Sequence, residues 1–190
     1  GDSVSFFESD RDRFYALISD GMGSGREAAL TSRLTAVFIE KLLSTGAHKG
    51  ATLELLNNLL LSKNSECFAT VDLLEIDLLD SKASFIKAGA APAYVVRSAK
   101  LYKISSETPP AGIIGAFSAE NTSFSLCSGD VILLLSDGIT ENFDSTPWLA
   151  EILGFNVNED ISKLASAILA KARSLGIHDD DMSVVAVRVR

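Results

Sequence analysis

The segments Ala16-Leu-Ile-Ser-Asp-Gly21 and Leu133-Leu-Leu-Ser-Asp-Gly138 repeat one design within a sequence of 190 residues. Each is an apolar run, typical of a buried β-strand, that ends in Ser-Asp-Gly. A single Asp-Gly pair after a strand is most often only a turn. The repetition favours a functional site instead, because it places Asp20 and Asp137 at the C-terminal ends of two strands.

Further aspartates accompany these two strand ends. Asp2 begins a strand that is predicted to pair with the one ending in Asp20, and the triplet Asp179-Asp180-Asp181 precedes the last strand. If the last strand runs antiparallel to the other two, all these carboxylates meet at one edge of a sheet. Carboxylates at such short range repel one another, and bound divalent cations relieve the repulsion. Because oxygen ligands select hard ions, the expected metal is Mg²⁺ or Mn²⁺.

Two rival interpretations of these segments are a phosphate cradle and a serine hydrolase. The glycines at 21, 23 and 25 follow a strand and open a helix, but their spacing is not GxGxxG and no βαβ unit follows, which disfavours nucleotide binding. His178 stands beside Asp179, yet no GxSxG motif accompanies it, which disfavours a Ser-His-Asp hydrolase. With only two histidines and no HExxH motif, any metal site is predicted to consist of carboxylates.

Composition and charge narrow the classes of function. With 17 Lys and Arg against 25 Asp and Glu, the net charge is −8, and so acidic a surface disfavours nucleic acid as a partner. Apolar runs such as Val131 to Leu135 are far shorter than the roughly 20 residues of a membrane span. Cys67 and Cys127 lack a CxxC pattern and stand in apolar stretches, which predicts two buried free thiols.

The order of the predicted elements favours an α+β fold. The periodicity predicts a hairpin (4–8 and 14–18), two helices (27–43 and 51–61), six strands (68–79, 83–88, 93–97, 101–104, 123–126 and 131–135), two more helices (148–153 and 161–175) and a last strand (182–189). Such segregated runs indicate antiparallel sheets rather than a doubly wound parallel one. The length predicts a single domain over residues 1–190, and the absence of an initiator Met leads us to expect a fragment of a longer protein.

The sequence resembles a known family, the metal-dependent PPM (protein phosphatase 2C) serine/threonine phosphatases. The resemblance covers nearly the whole chain and follows the order of the family's motifs. It is carried by Asp2, by Ile18-Ser-Asp-Gly-Met-Gly-Ser-Gly25, by Leu135-Ser-Asp-Gly138 and by Asp180-Asp-Met-Ser-Val-Val-Ala-Val187. The Asp-Gly-Met-Gly-Ser-Gly loop is typical of the sporulation branch of the family.

The resemblance implies an α+β sandwich of two antiparallel β-sheets flanked by α-helices, with a binuclear Mn²⁺ or Mg²⁺ centre. Asp20 would bridge both metals and the Gly21 carbonyl would bind one of them, with Asp2 on that same side. Asp137 and Asp180 would hold the other metal, with Asp181 as the alternative to Asp180. Asp20 and Asp137 are the candidate catalytic residues.

The resemblance also implies an activity and partners. The expected reaction is dephosphorylation of a phosphoserine anti-anti-sigma factor in the control of sporulation sigma factors, by a metal-activated water and without a phosphoenzyme. A stress-response phosphatase of the same type with another anti-anti-sigma substrate and a catalytically silent regulatory module stay open as alternatives. Arg26 is a candidate contact for the substrate phosphate.

The wide apolar stripe on the second predicted helix indicates a further surface. We expect the helices over residues 27–61 to contact a second copy of the chain or an upstream regulatory domain. The resemblance places such a domain in the cytoplasm, as part of a membrane-anchored protein whose membrane segments lie outside this sequence.

Overall fold

A computed structural model describes residues 1–9, 12–23, 25–63, 67–98, 100–115, 117–140, 147–156, 160–175 and 180–190, of which 155 and 156 are described by their backbone alone. The strands are β1 Asp2–Ser9, β2 Arg13–Asp20, β3 Val71–Asp77, β4 Lys82–Ala88, β5 Ala93–Arg97, β6 Lys100–Ile104, β7 Glu120–Ser125, β8 Val131–Leu135 and β9 Val184–Arg188. The helices are α1 Arg26–Ser44, α2 Lys49–Leu61, α3 Asp137–Thr140, α4 Pro147–Asn156 and α5 Ile161–Ser174. In the part of the chain so described, no helix is long and apolar enough to cross a membrane.

The chain divides into two compact units, and the first consists of Gly1–Ala90 and Ser106–Ser125. It contains a five-stranded antiparallel sheet in the order β1-β2-β3-β4-β7 and the helices α1 and α2. Because side chains alternate across a strand, Leu17 and Leu73 turn to the helices and form one buried cluster with Ile39 and Leu56. This cluster fixes both helices on one face of the sheet.

The second unit consists of Ala91–Ser105 and Leu126–Arg190. Its four-stranded antiparallel sheet has the order β6-β5-β8-β9, and the helices α3, α4 and α5 follow β8 along the chain. All five residues of β8 are buried, as expected for an uninterrupted aliphatic strand at the centre of a sheet. Leu133 lies in one cluster with Leu149 of α4 and Leu164 and Ile168 of α5.

The predicted α+β class with two antiparallel sheets and helices is confirmed. Strand β3 begins at Val71 rather than at residue 68, because Ala69 forms only isolated bridges. The four-residue helix α3 was not predicted, since Gly138 follows Asp137 and suggested a turn. Both cysteines remain thiols as expected, but neither is fully buried as predicted: Cys67 is half-buried, and Cys127 is exposed beside the turn at Gly129. The single domain stays a prediction.

A buried ion pair crosses the first sheet between β3 and β4. Asp72 and Lys87 are register partners, and Lys87 Nζ donates a hydrogen bond of 2.5 Å to Asp72 Oδ1. Their side chains are only 3% and 1% exposed. Burial raises the pKa of Asp72, whereas the charge of Lys87 acts in the opposite direction. Loss of either partner would therefore leave a charge or a polar group without compensation inside the protein.

This pair leads to a stability prediction. Lys87→Met should lower the free energy of unfolding by about 3 kcal/mol, because it leaves Asp72 buried without its cation. Lys82→Met on the same strand is the matched control, since Lys82 is exposed and should change stability by less than about 0.5 kcal/mol. Urea denaturation followed by circular dichroism would measure both, and equal midpoints for the two variants would contradict the prediction.

Candidate functional site

In the first unit, Asp2 and Asp20 lie opposite each other at the open end of the β1–β2 hairpin. They are register partners, so both side chains project from the same face of the sheet. The Asp20 side chain is 15% exposed, and its Oδ1 lies 3.5 Å from the amino nitrogen of Gly1. The predicted pairing of the strand that begins at Asp2 with the strand that ends at Asp20 is confirmed.

The backbone at Asp20 is held by the segment that precedes β3. Asp20 N donates to Thr70 Oγ1 and Thr70 N donates to the Asp20 carbonyl, both at 2.8 Å. Ser19 Oγ donates to the Thr70 carbonyl, also at 2.8 Å. The contacts of Thr70 were not predicted from the sequence. Its only signal in the sequence is its position just before an apolar strand.

Gly21 continues this pairing and packs closely against α1. Gly21 and Ala69 lie opposite each other in an isolated antiparallel β-bridge. The hydrogen bonds of this bridge join Asp20 with Thr70 and Met22 with Phe68, so the bridge does not use the Gly21 carbonyl oxygen. A Cβ atom on Gly21 would lie 1.9 Å from the carbonyl oxygen of Ala28 in the first turn of α1. Glycine is therefore required here by the close approach of helix and strand end.

In the second unit, the segment before β9 is fixed on the end of β8 by Ser136. Ser136 N donates to the Ser183 carbonyl at 3.0 Å, and Ser183 N donates to Ser136 Oγ at 2.9 Å. Ser136 Oγ also lies 3.2 Å from the Asp181 carbonyl, to which it donates. A Cβ atom on Gly138 would lie 2.3 Å from that carbonyl oxygen. The Ser-Asp-Gly motif thus brings residues 180–183 against Asp137.

Asp137 and Asp180 interact electrostatically at this position. Burial raises the pKa of Asp137, and the nearby Asp180 carboxylate raises it further. Gly138 N donates to Asp137 Oδ1 at 2.9 Å, and Asp181 N donates to Asp180 Oδ1 at 2.8 Å. In the contacts described above, Asp181 contributes backbone atoms.

The candidate ligands therefore come as two carboxylate pairs on two different sheets. Asp2 and Asp20 lie on β1 and β2 of the five-stranded sheet, whereas Asp137 and Asp180 lie beside β8 and β9 of the four-stranded one. The expectation that all these carboxylates meet at one edge of one sheet is wrong, because long-range strand pairing assigns the two Ser-Asp-Gly strands to separate sheets.

The chemistry of each pair fits a hard divalent cation. Among the described residues no group of three or more His, Cys, Asp or Glu side chains is arranged to hold a metal ion. The pairs nevertheless offer oxygen donors, and a cation beside Asp137 and Asp180 would relieve the repulsion between them. His178 and Asp179 lie outside the described residues. Arg26 is the exposed first residue of α1, and its contact with phosphate stays a prediction.

The comparison with known families identifies the chain. The model of the family "Stage II sporulation protein E (SpoIIE)" matches residues 10–190. The chain belongs to the SpoIIE family. Stage II sporulation protein E of Bacillus subtilis (strain 168) is 35% identical over 199 residues, which cover 100% of this chain and 24% of that protein.

Solved structures and other relatives agree with membership of the SpoIIE family. The structure of the PP2C phosphatase domain and a fragment of the regulatory domain of SpoIIE from Bacillus subtilis has a TM-score of 0.87 and 30% identity, over 99% of this chain and 58% of that one. The phosphoserine phosphatase RsbU of Bacillus subtilis (strain 168) is 24% identical over 96% of this chain and 58% of that protein. The chain thus spans about a quarter of its SpoIIE relative from Bacillus subtilis.

The close packing at Gly21 gives a test of this part of the site. Gly21→Ala should destabilise the protein by about 3 kcal/mol, since the new methyl group meets backbone that cannot move aside easily. Gly115→Ala is the control, because a Cβ atom there meets nothing within 4 Å. In a chain of this length, the melting temperature of Gly21→Ala should fall by roughly 6 to 12 °C. Melting curves that coincide for the two variants would contradict the described packing.

Proposed function

We propose that this chain is a metal-dependent serine/threonine protein phosphatase domain that dephosphorylates a phosphoserine anti-anti-sigma factor in the control of sporulation sigma factors. Membership of the SpoIIE family and 30% identity to a PP2C phosphatase domain support this proposal. The single observation that carries it is the pairing of Asp2 with Asp20 and of Asp137 with Asp180 at the positions of the family's motifs.

The proposed ligands of two divalent cations, Mn²⁺ or Mg²⁺, are Asp2, Asp20, the Gly21 carbonyl, Asp137 and Asp180. Asp20 and Asp137 are the proposed catalytic residues among them. When bound, such cations activate water for attack on phosphorus and offset the charge on the phosphate oxygens. The choice of Asp180 over Asp181 is supported by the electrostatic coupling between Asp137 and Asp180.

The chain's own contribution to this reaction is to hold charged groups in place before substrate arrives. The hydrogen bonds between Asp20 and Thr70 fix the backbone of one carboxylate. In the second unit, the Gly138 N–H group donates to Asp137 Oδ1 and thereby orients the carboxylate of Asp137. A site that is fixed in advance avoids the cost of reorganisation during the reaction.

The sporulation substrate is favoured over the two alternatives. Identity to SpoIIE of Bacillus subtilis is 35% over the whole chain, against 24% to the phosphoserine phosphatase RsbU, which supports sporulation rather than stress control. The catalytically silent module is disfavoured because Asp2, Asp20, Asp137 and Asp180 are all present. The cytoplasmic location within a membrane-anchored protein is part of the same proposal.

A test of the activity uses hydrolysis of an aryl phosphate and of a phosphoserine peptide at millimolar Mn²⁺. Asp137→Ala should slow both reactions by roughly a thousandfold, since a metal ligand supports about 4 kcal/mol of transition-state stabilisation. Asp80→Ala is the control, because Asp80 lies in the exposed turn between β3 and β4. Equal rates for the two variants would overturn the metal-centre assignment.

We further propose a contact surface on α1 and α2 for a second copy of the chain or an upstream regulatory domain. Leu30 on α1 and Leu55 on α2 are 63% and 55% exposed, although Ile39 and Leu56 on the same helices are fully buried. Each helix therefore carries apolar side chains both toward the core and away from it. An exposed leucine that becomes buried in an interface contributes about 1.5 to 3 kcal/mol.

This surface can be tested by the oligomeric state. If a second copy covers it, Leu55→Gln should raise the dissociation constant of the dimer by at least about tenfold in sedimentation equilibrium. Glu54→Gln is the control, because Glu54 is the exposed neighbour of Leu55 on α2. A wild-type chain that stays monomeric at high concentration would exclude the second copy, and the longer protein would then be needed to test the upstream domain.

A further inference from the structure

Asn57 on α2 is a fully buried amide whose two ends both bind backbone far away in the sequence. Its Nδ2 donates to the Ile114 carbonyl at 3.0 Å, and its Oδ1 accepts from Gly112 N at 2.8 Å. A buried amide left without partners costs about 1 to 3 kcal/mol for each lost bond, so the segment 111–114 is firmly tied to this helix.

The segment 111–114 is in turn hydrogen-bonded to the chain just before β3. Ala69 and Ala111 exchange two hydrogen bonds, of 3.1 and 2.9 Å, and both residues are completely buried. Gly112 has a φ of +96°, and a Cβ atom there would lie 2.4 Å from the Cys67 carbonyl oxygen and 3.0 Å from Leu60 Cβ. The segment therefore fills the space between α2 and residues 67–69.

Residues 68–70 then hold the end of β2. Met22 N donates to the Phe68 carbonyl at 3.0 Å, and Thr70 N donates to the Asp20 carbonyl at 2.8 Å. Regular pairing between β2 and β3 ends at Ile18 and Asp72, so Asp20 and Gly21 depend on this irregular segment on the β3 side. A series of hydrogen bonds, joined by the backbone between Ala111 and Gly112 and between Ala69 and Thr70, thus connects Asn57 with Asp20 entirely within the first unit.

Ala69 and Ala111 are also packed in the buried apolar cluster of the first unit, whereas the described hydrogen bonds that hold the segment 111–114 in the series come from a small set of residues. Ala111 is bridged to Ala69 but belongs to no strand, and the chain over residues 105–110 is irregular. On the N-terminal side of the segment, Gly89 N donates to the Thr108 carbonyl at 2.7 Å. On the C-terminal side, the described hydrogen bonds are those of Asn57. Asn57 is thus the described side chain whose hydrogen bonds tie the C-terminal side of this segment to α2.

From these contacts we propose that Asn57 is a positioning residue for Asp20 and Gly21. It acts through residues 111–114 and 68–70, without touching metal or substrate. The inference rests on the proposed function, in which Asp20 and the Gly21 carbonyl bind divalent cations. If Asn57 has this role, removal of its amide lowers the metal affinity of the folded protein. This loss of affinity is separate from any decrease in the free energy of unfolding.

The test compares Mn²⁺ affinity, measured from free Mn²⁺ by electron paramagnetic resonance, with the melting temperature. Asn57→Ala should weaken Mn²⁺ binding by roughly tenfold at a temperature where the variant is fully folded. Asn58→Ala, at the exposed neighbouring position, should bind Mn²⁺ as the wild type does. Leu53→Ala is a second control, because it removes buried contacts of α2 and leaves the bonds of Asn57 in place.

The outcomes separate the explanations. If Asn57→Ala and Leu53→Ala both melt earlier and both keep wild-type Mn²⁺ affinity, Asn57 is only a stabilising residue and the inference is overturned. If Asn57→Ala does not fold, Asn57→Asp replaces it; this variant retains an acceptor for Gly112 N but loses the donor to Ile114, and it should bind Mn²⁺ more weakly. A wild-type chain that binds no Mn²⁺ would overturn the proposed function itself, before any variant is compared.

Discussion

The repulsion between Asp137 and Asp180 is an interaction that the local structure at the end of β8 has to oppose. Two carboxylates that raise each other's energy do not approach unless the backbone holds them there. Ser136 supplies that restraint, because its backbone and hydroxyl bind Ser183 and its hydroxyl also binds the Asp181 carbonyl. The unfavourable charge pair is therefore supported by hydrogen bonds of uncharged groups, one serine hydroxyl and the backbone, and a bound cation would make the approach of the two carboxylates favourable.

The need to hold a carboxylate in place at a strand end also explains why Ser-Asp-Gly occurs twice. In each copy the serine ties the strand end to a neighbouring segment, through Thr70 for Ser19 and through Ser183 for Ser136. The glycine lets backbone approach to a distance that a Cβ atom would prevent. The aspartate between them is thus fixed from both sides. The three residue types follow from three separate requirements: a hydrogen-bonding side chain, a carboxylate and the absence of a side chain.

The sequence predicted those parts of the fold and site that depend on local pattern. Apolar alternation located the strands, and the short connection between β1 and β2 made the pairing of Asp2 with Asp20 predictable. The distribution of β2 and β8 over two sheets was not predictable, because it depends on pairing between strands distant in the sequence. Thr70 and Asn57 belong to no sequence motif. Their contacts depend on how the irregular segments 67–70 and 111–114 lie in the fold, which local sequence pattern does not indicate.

The arrangement also bears on how such a domain could lose activity without losing its motifs. The described supports around Asp20, Gly21 and Asp137 lie outside the aspartates themselves: Thr70 and the backbone at Phe68 in one unit, Ser136 and the backbone at Ser183 in the other. Sequence comparison of the aspartates alone would not detect a change in these supports. A catalytically silent relative could therefore retain all four aspartates and differ at a buried amide or a close-packed glycine. In this chain Gly21 packs closely against α1, and Thr70 and Asn57 make the hydrogen bonds described above, so a loss of activity through these supports would show as a change in packing or in hydrogen bonding rather than in the aspartates.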